Sequence, residues 1–159
     1  MNRIQISKIL NDPVYGFITL NKGILLNIVD HPYFQRLGRI KQLGLTYLVY
    51  PGAHHTRFHH AIGAAHLMEQ AVQTLKDNSI LITNDEKTAV ILAILLHDIG
   101  HGPFSHALEN SFVMGISHEE ISKFFMNSLN HEFGGDLALA IKIFEDKYPK
   151  RFLHDLVSS

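Results

Sequence analysis

The sequence predicts an all-α chain with at most a short N-terminal strand or hairpin, and three observations carry that expectation. Apolar residues recur at three- and four-residue intervals through most of the chain, the period of a helix with one buried face. Thr83 with Glu86, and Ser117 with Glu120, are Ser/Thr-x-x-Glu capping boxes set just ahead of such stretches. A 46% hydrophobic share with 18% charged residues over 159 positions supports one core and excludes a disordered tail.

The elements follow in order. Asn11 to Gly16 reads as a turn, with one short strand over Phe17 to Leu20. Gly23 to Val29 and Tyr33 to Leu43 carry helical spacing (Ile24, Ile28; Phe34, Leu37, Ile40, Leu43), with Pro32 in a first turn and Gly44 as a stop. Leu45 to Gly52 suits an extended segment closed by Pro51-Gly52. A long helix is expected from Thr56 to Leu75, with Gly63 a close-packing point. The helix from Asn84 to Leu96 is apolar on nearly every side after Ala89, so it should be central. Pro103 can open a helix over Phe104 to Phe112, followed by helices near His118 to Leu129 and Asp136 to Phe144. From Glu145 onward the pattern is weak. No repeat or composition shift divides the chain, so a single domain over residues 1–159 is expected.

Several function classes drop out early. The chain has no cysteine, which removes disulfides, thiolate metal sites and thiol nucleophiles, and fits a cytoplasmic location. A formal net charge of −1 argues against a nucleic-acid binder driven by bulk charge, and no stable nucleic-acid partner is expected. The longest apolar run, Ala89 to Leu96, is far shorter than the roughly 20 residues that span a bilayer, and Met1 to Leu10 lacks the apolar stretch of a signal peptide. No membrane association is expected.

Twelve histidines remain to be explained. A buried apolar helix that ends in His97-Asp98 places ionisable groups at its deep end, where they are tolerated when paired or metal-bound. Imidazole with carboxylate suits manganese, iron or zinc better than calcium. His101 and His106 are close enough in sequence to line the same pocket. Of His54, His55, His59 and His60, the last is preferred as a ligand because Ile62 and Gly63 read as the packed side, with His59 the fallback. Arg57, nearly one turn before His60, suits an anionic substrate, although a surface salt bridge explains it equally well. Gln42, Lys41 and Arg39 fit either a cleft wall or a solvated face. His118, at the start of a capped helix, can add an imidazole or leave amides facing an anion.

Arg57-Phe58-His59-His60, then His97-Asp98-Ile99-Gly100-His101-Gly102-Pro103-Phe104-Ser105-His106, then Ser117-His118-Glu119 form an ordered series. That series resembles the HD-domain metal-dependent phosphohydrolases, in the deoxynucleoside triphosphate triphosphohydrolase (dGTPase-like) branch. Asp12-Pro13-Val14-Tyr15-Gly16 and the stretch Phe34-Gln35-Arg36-Leu37 to Lys41-Gln42-Leu43-Gly44 resemble it as well. The resemblance implies an HD-domain helical bundle in which His60, His97 and Asp98 hold a divalent metal ion: manganese, iron, zinc or magnesium. It implies that His101, His106 and His118 surround a triphosphate, with His106 and His118 catalytic, and that Arg57 and Gln42 hold the nucleotide. Glu109 stands where relatives often carry an aspartate that orients a catalytic imidazole, so the carboxylate is kept with a longer reach. The nucleotide substrate and a homo-oligomer, dimer or tetramer, are implied in the same way.

The family's fourth ligand is a second aspartate on a later helix, and Asp136, Asp146 and Asp155 lack its neighbours. The expectation is therefore that these residues are the N-terminal portion of a longer protein, cut before that aspartate, and that they alone have little or no activity. Two other readings stand beside the lead: an HD phosphatase or phosphodiesterase acting on other nucleotides, and a non-catalytic HD regulatory or scaffold module.

Overall fold

In the computed structural model, which describes residues 7–21, 23–104 and 117–158, Asp12 organises the first element. Its Oδ1 accepts the Val14 and Tyr15 amides at 2.8 and 2.9 Å. Gly16 takes the left-handed conformation at φ 73° that closes the turn. Strands β1 (Lys8–Asp12) and β2 (Gly16–Leu20) thus pair antiparallel, Asp12 opposite Gly16 and Lys8 opposite Leu20. The expected single strand has acquired a partner, because Lys8 to Asp12 supplies the ladder that β2 cannot make alone. The loop then rests on a helix: a Cβ at Gly63 would stand 3.1 Å from the Tyr15 ring, so Gly63 is a close-packing point as expected.

The next stretch departs from its helical spacing. Helix α1 (Ile24–Asp30) is followed by α2 (Pro32–Gln35), a tighter turn over Arg36–Arg39, and an extended Ile40. The expected helix from Tyr33 to Leu43 therefore ends before Ile40, because residues 40–42 pair with 55–57 instead. The Gln42 amide donates to the His55 carbonyl and the Arg57 amide to the Ile40 carbonyl, at 3.1 and 2.9 Å. Leu45 to Gly52 is not extended either: Thr46–Leu48 is a 3₁₀ turn whose amides bond locally.

Helix α3 (Arg57–Asp77) and helix α4 (Asn84–Leu96) pack against each other and form the centre. Thr83 Oγ1 accepts the Glu86 amide at 3.1 Å and Glu86 Oε2 accepts the Thr83 amide at 2.8 Å, the box read from the sequence. Ala89 to Ala93, Leu95 and Leu96 are all buried, so α4 is covered on every side. Its outer cover is helix α6 (Ala138–Phe144) and helix α7 (Phe152–Ser158), which also pack on each other. Neither was placed fully by spacing: α6 starts later than Asp136, and α7 falls in the stretch with the weak pattern. Its anchors, Leu153 and Val157, are only two residues and find their place against α4.

Helix α5 (His118–Glu132) begins at the expected Ser117–Glu120 box and reaches Glu132. The segment after α4 meets α5 backbone to backbone at Gly100. A Cβ there would overlap the His118 carbonyl oxygen and the Ser122 amide nitrogen. Pro103 and Phe104 lie in a turn, and the rest of the expected helix to Phe112 lies outside the described residues. No helix among the described residues is long and apolar enough to cross a membrane.

Beside the Thr83 cap, Glu86 also accepts from Tyr148 Oη at 2.7 Å and Lys150 Nζ at 2.8 Å, which ties the chain after α6 to the start of α4. Burial by itself would raise the Glu86 carboxyl, but Lys150, the Thr83 amide and Tyr148 outweigh it and hold it down at about 2. A depressed carboxyl stabilises the fold above its unfolded value, near 4.5, and that contribution is lost as pH falls toward about 2. Glu86→Gln is expected to flatten this acid limb and to cost about 2 kcal/mol at neutral pH, read by urea unfolding as a function of pH. Gly100→Ala is expected to cost about 3 kcal/mol or more in the same assay, because two backbones must separate to admit the methyl.

Candidate metal centre

The central helix tightens where it ends. Ile99 N bonds to Leu96 O, and His101 N to Asp98 O, both at 3.1 Å, a three-residue repeat that stacks side chains at i and i+3 on one side. Asp98 and His101 thereby come together, with His101 Nε2 3.4 Å from Asp98 Oδ1. His97 donates its Nδ1–H to the Ile94 carbonyl at 2.6 Å. That bond fixes the tautomer and leaves Nε2 with a lone pair facing outward.

The first turn of α3 supplies the opposite wall. His59 does not compete with His60: its Nδ1 lies 2.8 Å from Thr56 Oγ1 and accepts the Thr56 amide at 3.3 Å, so it caps the helix. One residue on, about 100° further around, His60 Nε2 faces His97 Nε2 at 3.3 Å and Asp98 Oδ2 at 3.7 Å. His97 Nε2 stands 3.4 Å from Asp98 Oδ1. These three residues offer donor atoms within 4.8 Å of one another. Two donors bonded to one ion at about 2.1 Å in tetrahedral directions are about 3.4 Å apart, so the set fits a first-row divalent ion.

Charge in the site is uneven. Arg57, 3% exposed, forms an ion pair through Nη1 with Asp98 Oδ2. Burial by itself would raise the Asp98 carboxyl, but the His101 hydrogen bond and the neighbouring His97 and Arg57 hold it far below the usual carboxylate range. Burial pushes the His60 imidazole down, helped by the facing His97, and burial pushes His101 down as well. The carboxylate is thus charged and the two imidazoles tend to neutral, the forms that ligate a metal.

His101 stacks on His118 at the head of α5, ring centroids 4.0 Å apart and planes 16° apart. Gln42 is carried beside the α3 entrance by the pairing of residues 40–42 with 55–57, and its buried Oε1 has no hydrogen-bond partner among the described residues. His106 and Glu109 lie outside the described residues. A cleft of about 410 Å³ opens beside His97 and Asp98 and is also lined by His118, Lys123, Glu145 and His154.

Two residues here were given no role by the sequence, although Arg36 stands in the stretch Phe34-Gln35-Arg36-Leu37 that resembles the family. Arg36 donates through Nη1 to the His101 carbonyl at 2.9 Å and through Nη2 to the Ile99 carbonyl, with its guanidinium 4.9 Å from the centre of the Phe125 ring. Ser122, fully buried, donates to the His97 carbonyl at 2.8 Å and accepts the Gly100 amide at 2.9 Å. An arginine in an expected helix from Tyr33 to Leu43 and a serine inside another give no hint of such partners until the chain is folded.

Asp98→Asn is expected to weaken Mn²⁺ binding at least about tenfold by isothermal titration. It should also cost the metal-free chain about 3 kcal/mol in urea unfolding, because Arg57 then faces a neutral amide in a buried place. Unchanged Mn²⁺ affinity would remove Asp98 from the ligand set.

Comparison with known proteins agrees with this arrangement. A family model described as HD domain matches residues 57–150, which includes all three candidate ligands. The deoxynucleoside triphosphate triphosphohydrolase SAMHD1 of Danio rerio is 47% identical over 108 residues, covering 67% of this chain and 17% of that protein. A SAMHD1 homolog of Dictyostelium discoideum is 35% identical over 170 residues, covering 96% and 33%. Among solved structures, a phosphohydrolase from Bacteroides thetaiotaomicron superposes with a TM-score of 0.93 at 59% identity, covering 96% of this chain and 38% of that one. The chain thus spans a minor part of each relative's length, and that part carries both the end of the central helix and the histidine facing it. With the match reaching from Arg57 past α6 to residue 150, more than half of the chain, the chain belongs to the HD-domain family.

Proposed function

We propose that the protein carrying this chain is a metal-dependent phosphohydrolase that cleaves deoxynucleoside triphosphates to the deoxynucleoside and triphosphate. The observation that carries the reading is the meeting of His60, His97 and Asp98 donor atoms at 3.3–3.7 Å beside a buried arginine and a stacked histidine pair. Similarity to the SAMHD1 proteins, whose name states that substrate class, supports the choice among phosphoesters.

In this reading His60, His97 and Asp98 hold the ion. When bound, it supplies a Lewis acid and a water acidic enough to ionise near neutral pH. Arg57 places positive charge, and the His101–His118 pair hydrogen-bonding ring nitrogens, on one wall, where phosphoryl oxygens gain charge during in-line displacement. His118 or His106 protonates the departing 5′-oxygen, and Glu109 orients the imidazole that does so. Gln42, with a buried oxygen unsatisfied among the described residues, is proposed to hold the nucleotide together with Arg57. The homo-oligomer and the lack of a stable nucleic-acid partner remain part of this proposal.

The test is turnover of the four deoxynucleoside triphosphates with Mn²⁺. Free triphosphate and deoxynucleoside are expected in equal amounts, with label from ¹⁸O-water in the triphosphate. His118→Ala is expected to lower kcat about a hundredfold or more. Release of monophosphate or pyrophosphate instead would favour a different phosphoester, label in the nucleoside would exclude attack at phosphorus, and no turnover of any phosphoester by a metal-loaded protein would favour a non-catalytic module.

A further inference from the structure

The segment His97-Asp98-Ile99-Gly100-His101 carries two candidate ligands and one member of the histidine stack, yet most of it lies beyond the last full turn of α4. A segment leaving a helix has carbonyls and amides without helical partners, and it keeps one conformation only if something else bonds them. Here side chains from two other elements do so. From one side, Arg36 spans the carbonyls of Ile99 and His101 with its two terminal nitrogens. From another, Ser122 on α5 takes the His97 carbonyl and the Gly100 amide, donating to one and accepting from the other. Four backbone groups within five residues are thus held by two side chains.

Arg36 is placed to do this at a cost. Burial pushes the Arg36 guanidinium below its usual value, and its buried Nε has no hydrogen-bond partner among the described residues. The face of Phe125, one turn of α5 past Ser122, receives the guanidinium. Arg36 and Ser122 are therefore linked through α5 as well as through the segment they grip. Gly100 completes the arrangement, since any side chain there would push the segment off α5.

We infer that Arg36 and Ser122 are a pair of positioning residues. They clamp the segment 97–101 so that the His97 and Asp98 donors stay in register with His60 while His101 stays stacked on His118. Neither offers an atom to the metal; both act through the backbone of residues that do. The inference rests on the metal reading given above for His60, His97 and Asp98, and it is tested by two readouts that separate it from that reading.

The first readout is Mn²⁺ affinity by isothermal titration for Arg36→Lys and Ser122→Ala. A lysine keeps the charge but cannot bridge two carbonyls, and the alanine removes donor and acceptor together. Each variant is expected to weaken Mn²⁺ binding about tenfold or more. Val72→Ala serves as the control: it opens the core some 18 Å along α3 from His60 and should lower thermal stability with Mn²⁺ affinity unchanged. The second readout is the imidazole proton resonances of His101 and His118 in metal-free protein, which each ring shifts in the other through its ring current. Loss of that mutual shift is expected in the two clamp variants and not in Val72→Ala.

If wild-type protein takes up no Mn²⁺, the metal reading falls while the histidine resonances still judge the clamp. If it binds Mn²⁺ and both variants match it in affinity and in resonances, at whatever melting temperature, the clamp is overturned and the two residues are structural only. Should Arg36→Lys fail to fold, Ser122→Ala carries the test alone.

Discussion

The Asp98 carboxylate is the constraint on which the rest depends. It lies at the deep end of a helix covered on every side, and a carboxylate there is tolerated only with its charge answered. Arg57 answers it from α3, His101 from one turn along, and His60 and His97 complete the ring around it. Because Arg57 and His60 both come from the first turns of α3, the same ion pair that makes Asp98 tolerable also docks the two central helices at their functional ends. Stability and chemistry share their atoms at this point: the groups that neutralise the carboxylate are those that bring its oxygens beside two imidazole nitrogens.

That arrangement needs rigid supports, and they come from ordinary backbone economics. The α3 entrance is fixed because residues 40–42 give up helix to pair with 55–57, and because His59 caps Thr56. The end of α4 is fixed because Gly100 lets it touch α5 directly. At the opposite end of α4, Glu86 gathers Thr83, Tyr148 and Lys150 and keeps α6 and α7 over the core. Each support satisfies backbone or buried polar groups that would otherwise cost about 1–3 kcal/mol apiece, and each places a site wall as a by-product.

Much of this was legible in the linear chain where local forces decide. The two capping boxes, the all-round apolar run of α4 and the long stripe of α3 each specify an element without reference to the rest, and the helices begin where those signals stand. Where a segment's hydrogen bonds go elsewhere, spacing misled. Phe34, Leu37, Ile40 and Leu43 kept helical periodicity, yet Ile40 is extended because its carbonyl bonds to the Arg57 amide. Helix α7 was silent because two buried anchors, Leu153 and Val157, are too few to show a period until α4 is there to receive them.

By itself the sequence determined the all-α class with a short N-terminal strand, the central helix and the chemical kind of site, since residue types and capping signals act over a few positions. It also singled out His60 over His59 only as a preference between neighbours. Tertiary structure uses His59 as a cap and brings His60 into the candidate cluster, and it decided which long-range partners meet: Arg57 with Asp98, His101 with His118, Arg36 and Ser122 with the segment between them. The physical reason is that a metal site is a matter of ångströms between atoms tens of residues apart, and only the packing of α3, α4 and α5 against one another sets those distances.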